Sequence, residues 1–122
     1  MPSPNFVLLY VDSPETSGAF YAALIERKPV ETSPTFVMFA LENGVMLGLW
    51  SRHTVQPAAS ATGGGAELAF TVEPAALDAA FADWKQRGIV ILQQPTDMDF
   101  GRTFVGLDPD GHRLRVFSPS GQ

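Results

Sequence analysis

The apolar and polar positions of this chain follow the same order twice, and the second copy begins 61 residues after the first, at Val72 instead of Val11. In each copy an apolar strand ends at an acidic residue and a proline. An amphipathic helix follows, with a phenylalanine nine residues after the valine (Phe20 and Phe81). Strand-like segments ending in a hairpin complete each copy. Such a unit buries one sheet face against one helix, so the pattern predicts a duplicated βαβββ module.

The first copy opens with a strand from Asn5 to Val11 that is apolar on both faces, which is typical of a strand covered on both sides. Ser13 is a good N-cap and Pro14 suits the first helical position, so a helix is predicted to about Glu26. A hairpin around Asn43-Gly44 should follow. Its two strands are predicted at Thr35 to Leu41 and Val45 to Trp50.

The second copy repeats the plan with a strand from Ala66 to Val72 and a helix from about Pro74 to Arg87. A short strand is predicted at Ile89 to Leu92, followed by a polar loop from Pro95 to Gly101. The last hairpin turns at Asp108-Pro109-Asp110-Gly111, a sequence that favours a type I turn. Its strands are predicted at Arg102 to Leu107 and His112 to Ser118.

The domain organisation follows from the length and from one change in composition. A chain of 122 residues is expected to form a single domain. The first module covers about residues 5–52 and the second about residues 65–118. The segment between them, about residues 53–64, consists mainly of small and polar residues, with one proline and the start of a run of three glycines, and is predicted to be a linker.

Composition excludes several classes of function. The chain has no cysteine, so a disulfide, a thiolate metal site and a thiol nucleophile are excluded. A net charge of −5 with scattered basic residues disfavours nucleic acid as a partner. The N-terminus lacks the pattern of a signal peptide, and no apolar stretch is long enough to cross a membrane. A cytoplasmic protein is therefore expected.

One segment near the C-terminus carries a family resemblance. The run Phe100-Gly101-Arg102-Thr103-Phe104 leads into Asp108-Pro109-Asp110-Gly111-His112. Together with the duplicated order, it resembles the vicinal oxygen chelate superfamily, the glyoxalase and bleomycin-resistance proteins, over about residues 5–118. The resemblance implies an α+β fold in which the two tandem βαβββ modules form a curved mixed sheet around a cavity. It also implies a homodimer, with ligand sites formed by parts of both chains.

The superfamily's enzymes usually hold a divalent ion with four side chains, two from each module. Alignment on the shared strand and turn residues puts these positions at Phe6, Gly48, Glu67 and Arg115. Phenylalanine and glycine have no ligating side chain, and the arginine guanidinium does not deprotonate. A single carboxylate does not make a metal site. We therefore expect no metal and no other cofactor.

Strand alternation predicts which side chains share the cavity. In the last hairpin it is expected to place Phe104 opposite Arg115 and Arg102 opposite Phe117, on the face that also carries Glu67. In the first module it places Phe39 on the same face as Trp50. The ligand-binding set predicted in this way consists of Phe6, Tyr10, Phe39, Gly48, Trp50, Glu67, Arg102, Phe104, Arg115 and Phe117.

Other roles are open for these residues. Any one phenylalanine can instead fill the core, and Arg115 can pair with Glu67 instead of contacting a ligand. Arg102 follows a loop and is either solvated or directed at the ligand. The two histidines, His53 and His112, lie on no common face and are expected on the surface.

Three functions fit this reading. The first is a non-enzymatic protein that sequesters a planar aromatic ligand, as the antibiotic-resistance branch of the superfamily does, because aromatic walls offer a slot for stacking. The second is a metal-independent lyase or isomerase that uses Glu67 as general base. The third is an accessory subunit whose cavity is unused.

Overall fold

The computed structural model describes residues 1–120 of the chain, and these residues form two compact units. The first unit is Met1–Thr62, and the second begins at Gly63. The boundary between them lies within the segment predicted as the linker. Within residues 1–120, no helix is long and apolar enough to span a membrane.

Each unit is one βαβββ module. The first consists of β1 (Phe6–Val11), α1 (Pro14–Ile25), β2 (Glu31–Thr32), β3 (Phe36–Ala40) and β4 (Met46–Ser51). The second consists of β5 (Glu67–Thr71), α2 (Pro74–Gln86), β6 (Val90–Met98), β7 (Gly101–Leu107) and β8 (Arg113–Pro119). The strand orders are β1-β4-β3-β2 and β5-β8-β7-β6. In each sheet the strands that come first and last in the sequence, β1 with β4 and β5 with β8, pair in parallel. The other pairs are antiparallel. The predicted α+β fold of duplicated modules is confirmed.

The helices begin and end for local reasons. The Ser13 hydroxyl accepts a hydrogen bond from the backbone N–H of Thr16 at 3.2 Å, as expected of an N-cap, and Pro14 follows it. Glu26 ends α1 in the left-handed conformation with φ of 54°. In the second unit, α2 begins at Pro74, and Gly88 follows its end with φ of 81°.

Each helix covers one face of its own sheet. In the first unit, a Cβ placed on Gly18 of α1 would lie 3.2 Å from Val37, so the helix packs closely on the face that carries Val37 and Phe39. In the second unit, Trp84 of α2 meets Phe104 edge-on, with ring centroids 5.1 Å apart. These helix-covered faces hold most of the fully buried side chains. We call the opposite face of each sheet its helix-free face.

The pairing of β3 with β4 differs from the predicted register by one residue. A two-residue turn at Asn43-Gly44 would put Phe39 on the same face as Trp50. Instead Leu41 donates its backbone N–H to Val45 at 2.9 Å, which leaves a three-residue turn whose last residue, Gly44, has φ of 82°. This is a type I turn closed by a left-handed glycine.

The hairpin of β7 and β8 shows the same difference. Asp108 donates its backbone N–H to His112 at 3.0 Å, and the three-residue turn between them ends at Gly111 with φ of 83°. As a result Val105, not Phe104, lies opposite Arg115. The predicted pairings were wrong in both modules for the same reason, an additional turn residue in the left-handed conformation.

Two further expectations for the second unit were wrong. The polar loop predicted at Pro95 to Gly101 is mostly strand, because β6 extends to Met98 along β7. The ladder is irregular between Gln93 and Thr96, and a proline is tolerated in such a place on an edge strand. His112 is buried instead of exposed, since its Nδ1 lies 2.9 Å from Asp108 Oδ2.

Candidate functional site

The helix-free face of the first unit is apolar and partly exposed. Phe6, Leu8 and Tyr10 follow one another at every second position of β1, and their exposed fractions are 43%, 45% and 36%. Register places Tyr10 beside Trp50 of β4, and Trp50 beside Phe36 of β3. Phe36 and Trp50 meet edge-on, with ring centroids 6.3 Å apart and ring planes at 85°.

These side chains surround a depression of about 380 Å³, which we call the apolar depression. Phe6, Leu8, Phe36 and Trp50 line it, and Tyr10 is the next residue of β1 on the same face. Aromatic side chains can pack against a further planar ring by offset stacking or edge-on contact. The depression is therefore suited to stacking and offers almost no hydrogen bonding.

Gly48 forms the floor between these side chains. A Cβ at Gly48 would lie 2.8 Å from both Leu8 Cδ2 and Phe36 Cζ. The missing side chain lets Leu8 and Phe36 lie close to the sheet. Gly48 thus shapes the depression through its neighbours.

Phe39 does not belong to this face. It has no exposed surface and lies on the helix-covered side of β3, which corrects its predicted place in the ligand-binding set. Because the three-residue turn shifts β3 by one residue, Met38 lies opposite Gly48, where Phe39 was expected, and Phe36 lies opposite Trp50. Sequence reasoning missed Phe36, although its aromatic type was the available signal.

The helix-free face of the second unit is different, since a charged pair lies at its centre. Arg115 Nε lies 2.7 Å from Glu67 Oε1, and Nη2 lies 2.9 Å from Oε2, so the pair is bidentate. Arg115 Nη1 also donates to the Thr103 hydroxyl at 3.1 Å and lies 3.5 Å from Gln93 Oε1. The edges of the guanidinium are therefore largely occupied by protein groups.

This pairing fixes the ionisation of both groups. The hydrogen bonds from Arg115 lower the pKa of Glu67, and the charges of Arg115 and Arg113 add to the effect against partial desolvation. The hydrogen bonds from Glu67 raise the pKa of Arg115. Glu67 is thus a carboxylate held in a salt bridge, and its basicity is reduced.

Two aromatic rings accompany the charged pair. The guanidinium carbon of Arg115 lies 6.0 Å from the centroid of Phe100, and Phe100 meets Phe117 edge-on with centroids 6.0 Å apart. Phe100 is 44% exposed. It was not among the predicted site residues, because it falls in the segment that was predicted to be a loop.

Two residues of the predicted ligand-binding set lie on the helix-covered face of the second sheet. Phe104 is fully buried against Phe81 and Trp84 of α2, so it is a core residue. Arg102 donates to Asp78 of α2 at 3.2 Å and to Asp97 at 3.1 Å. Both were expected on the helix-free face, and the one-residue shift of the hairpin moves them to the helix-covered side.

The sequence-predicted residues that keep their expected face fall into two groups. The first unit brings together Phe6, Tyr10, Gly48 and Trp50, and the second brings together Glu67, Arg115 and Phe117. Phe36, Gln93, Phe100 and Thr103 join them and were missed. The two polar ones gave no signal, because their contacts with Arg115 depend on the register.

The four positions that the family resemblance aligns with metal ligands carry side chains that do not suit a divalent ion. These positions carry Phe6 and Gly48 in the first unit and Glu67 and Arg115 in the second, and Arg115 engages both carboxylate oxygens of Glu67. A bound cation would have to displace a guanidinium from the sole carboxylate. In the part of the chain that the structure describes, no three histidine, aspartate or glutamate residues gather as a metal site.

The fold agrees with what sequence comparison finds. A family model of the Glyoxalase/Bleomycin resistance protein/Dioxygenase superfamily matches residues 3–116, and the chain belongs to this superfamily. It is similar to the phenazine antibiotic resistance protein EhpR of Enterobacter agglomerans, with 31% identity over 118 residues that cover 93% of this chain and 90% of the relative.

Solved structures give the same result. Protein ATC0852 from Agrobacterium tumefaciens has a TM-score of 0.91 and 57% identity, with 99% of this chain and all of the other chain covered. A glyoxalase/bleomycin resistance protein/dioxygenase from Nocardioides has a TM-score of 0.84 and 25% identity, with 100% of this chain and 87% of the other covered.

Proposed function

We propose that this protein binds a planar aromatic small molecule at the apolar depression and thereby sequesters it, as an antibiotic-resistance protein would. The observation that carries the proposal is the depression itself, in which Trp50 and Phe36 stand edge-on beside exposed Phe6 and Leu8. A stacked ring would remove much of this apolar surface from water.

The shape and chemistry of the depression support stacking over other kinds of binding. Contiguous exposed apolar side chains on a sheet mark a binding surface more often than isolated ones do. Four apolar side chains line this depression, so orientation of a ligand by hydrogen bonds there is weak. Aromatic contacts contribute about 0.5–1.5 kcal/mol each beyond the area they bury.

The similarity to EhpR supports a ligand of this kind. That protein's name describes resistance to a phenazine antibiotic, and phenazine is a flat three-ring aromatic. The Enterobacter agglomerans protein covers nearly the same length as this chain, so the comparison concerns the whole module pair. We infer that the ligand of this chain is also a fused planar aromatic.

The alternative function, a metal-independent lyase or isomerase with Glu67 as general base, has less support. Both oxygens of Glu67 accept hydrogen bonds from Arg115, and the pKa of Glu67 is lowered. A general base near neutral pH needs a raised pKa and an oxygen that can reach the substrate. The pKa of Glu67 is instead lowered, and Arg115 engages both of its oxygens.

The expected homodimer is part of the same proposal. The family resemblance implies it, and the apolar stretch along the edge strand β1 is compatible with a partner chain. Sedimentation equilibrium of the full chain tests it directly. A single species at the monomer mass at high micromolar concentration would contradict the dimer.

Thermal unfolding with phenazine as the probe, followed by calorimetric titration, tests the main proposal. A ligand at about 100 times its Kd adds roughly 2.7 kcal/mol, which raises the Tm by several degrees. Trp50→Ala should weaken binding by about 1–3 kcal/mol without unfolding the protein. Val30→Ala is a suitable control, because Val30 is 59% exposed in the same unit and does not line the depression.

Two results would contradict the proposal. One is an affinity for phenazine that Trp50→Ala leaves unchanged. The other is a Tm that rises with Zn²⁺, Ni²⁺ or Mn²⁺ and not with any planar aromatic. This outcome would favour a metal-dependent activity over sequestration of an aromatic ligand.

A further inference from the structure

A cluster of charged side chains lies just beyond the apolar depression, where β1 and β4 end. The two strands are parallel, and Tyr10 beside Trp50 is their last pair on the helix-free face. The ladder continues for one more bond, from the backbone N–H of Arg52 to the carbonyl of Val11 at 2.8 Å. Arg52 and Asp12 are two residues beyond that pair, a distance of about 6–7 Å along a strand.

Three side chains form this cluster. His53 Nε2 lies 2.7 Å from Asp12 Oδ1, and Arg52 Nη2 lies 3.4 Å from the same oxygen. The backbone N–H of His53 donates to the Ser51 hydroxyl at 3.2 Å, which ties the start of the following segment to the end of β4. The contacts hold Arg52 and His53 beside each other.

Asp12 engages only part of the guanidinium of Arg52. The hydrogen bond from His53, followed by the charge and hydrogen bond of Arg52, lowers the pKa of Asp12, so this carboxylate is ionised. Arg52 is ion-paired with Asp12 through Nη2, with its side chain 43% exposed. A guanidinium has five N–H donors, so most of those of Arg52 face solvent.

A polar groove of about 460 Å³ adjoins these donors. Arg52 and His53 line one part of it, and residues 59–62, which include the hydroxyls of Ser60 and Thr62, line the rest. The lining of this groove is mostly polar and includes the guanidinium of Arg52, whereas the lining of the apolar depression is almost wholly apolar. The two surfaces differ in chemistry, and Trp50 of the depression is only two residues from Arg52 of the groove.

We infer that the polar groove receives an acidic substituent of the ligand, with Arg52 as its main contact, so that the preferred ligands are planar aromatic acids. The inference rests on the proposed function, since the aromatic part of the ligand is placed in the apolar depression. His53 contacts the same substituent, and Asp12 holds both side chains in place. Arg52 is thus a specificity-determining residue for the acid.

The effect expected of Arg52 is moderate. Hydrogen bonds between a guanidinium and a carboxylate are stronger than neutral ones, but the side chain is 43% exposed and water competes with the ligand. A preference of about 10-fold for the acid over the same ring without the acid is reasonable, since it corresponds to one exposed charge-assisted contact. Added salt should reduce this preference, because exposed charges are screened.

Phenazine and phenazine-1-carboxylate form a matched pair of probes for calorimetric titration. We expect the full-length protein to bind the carboxylate about 10-fold more tightly than phenazine. Arg52→Gln should remove this preference by weakening the carboxylate alone. Arg27→Gln is the control, since Arg27 is an ion-paired arginine of the same unit that carries the same charge and lies outside the groove.

The outcomes separate the two proposals. Equal affinities for both probes in the unsubstituted protein, or an equal loss for both in Arg52→Gln, would overturn the role of Arg52 and leave the aromatic site standing if Trp50→Ala still weakens binding. Failure of both probes to bind would overturn the proposed function and this inference together. The Tm of each variant, measured without ligand, shows whether the fold is retained.

Discussion

The guanidinium of Arg115 meets the carboxylate of Glu67 edge to edge, with both N–O distances below 3 Å, at 2.7 and 2.9 Å. The side chains of Arg115 and Glu67 are 20% and 29% exposed, so most of the surface of the pair is covered by protein. A pair in this setting contributes more than a surface ion pair and less than one in the core. Its main effect is to keep the centre of this face in one arrangement.

Removal of either partner should therefore destabilise the protein. We expect Glu67→Gln or Arg115→Gln to lower the free energy of unfolding by about 1–3 kcal/mol, because a partly buried charge loses its counter-charge. A double-mutant cycle from urea unfolding should give a coupling of about 1–2 kcal/mol.

The exposed pair of Asp83 and Arg87 in α2, at 2.9 Å, is the control and should show a coupling of only about 0.3–0.5 kcal/mol. Equal coupling in the two cycles would contradict the special position of Glu67 and Arg115.

The lowered pKa of Glu67 predicts a particular dependence of stability on pH. Because the folded-state pKa lies below the usual 4.5, the stabilisation is fully present above about pH 4.5 and is lost as pH falls through the folded-state value. The difference in Tm between the unsubstituted protein and Glu67→Gln should shrink as pH falls from 5 to 3. A difference that stays constant over this range would show that ionisation of Glu67 is not what stabilises the pair.

Phe36 and Phe39 provide a test of the strand register. Phe39 is fully buried against the helix side, so Phe39→Ala should cost about 3–5 kcal/mol in the free energy of unfolding. Phe36→Ala should cost about 1 kcal/mol because Phe36 is only partly buried, and it should weaken binding of phenazine. The reverse order of stabilities would mean that β3 has the register first expected from its sequence.

Gly48→Ala and Gly106→Ala are a pair of equivalent substitutions that should have different effects. A Cβ at Gly106 would lie 2.9 Å from the ring of buried Trp84, so Gly106→Ala should destabilise the second unit by about 1–3 kcal/mol. At Gly48 the clashing atoms are the ends of Leu8 and Phe36, which can move outward. Gly48→Ala should therefore retain the fold and change the affinity for phenazine, which thermal unfolding and titration would show separately.

The fold was predictable because several signals agreed along the chain. Ser13 with Pro14 marked one helix start, Pro74 marked the other, and glycines marked the hairpins. The register was not predictable, since Asn43-Gly44 suits both a two-residue and a three-residue turn. Both faces of β3 are apolar, so no polar side chain reveals which face meets the helix.

The faces of the site residues were predictable where they did not depend on the length of a turn. Strand β1 was assigned correctly, because its parallel pairing does not depend on a turn, and Phe6, Tyr10 and Trp50 kept their face. Phe104 and Arg102 were assigned to the wrong face, because their position depended on the length of the turn at Gly111. The cluster of Asp12, Arg52 and His53 was missed because Arg52 and His53 are 40 and 41 residues from Asp12 in sequence.

The division of each sheet into a helix-covered and a helix-free face has a consequence for how such proteins diversify. In β3 the residues that stabilise the module alternate with those that line the depression, so the two sets share a strand but no side chain. If the depression binds the ligand as proposed, substitution at Phe36 or Trp50 should alter ligand preference while folding is preserved. A duplicated module of this kind can acquire new ligands in small steps, each of which leaves a folded protein for the next step to act on.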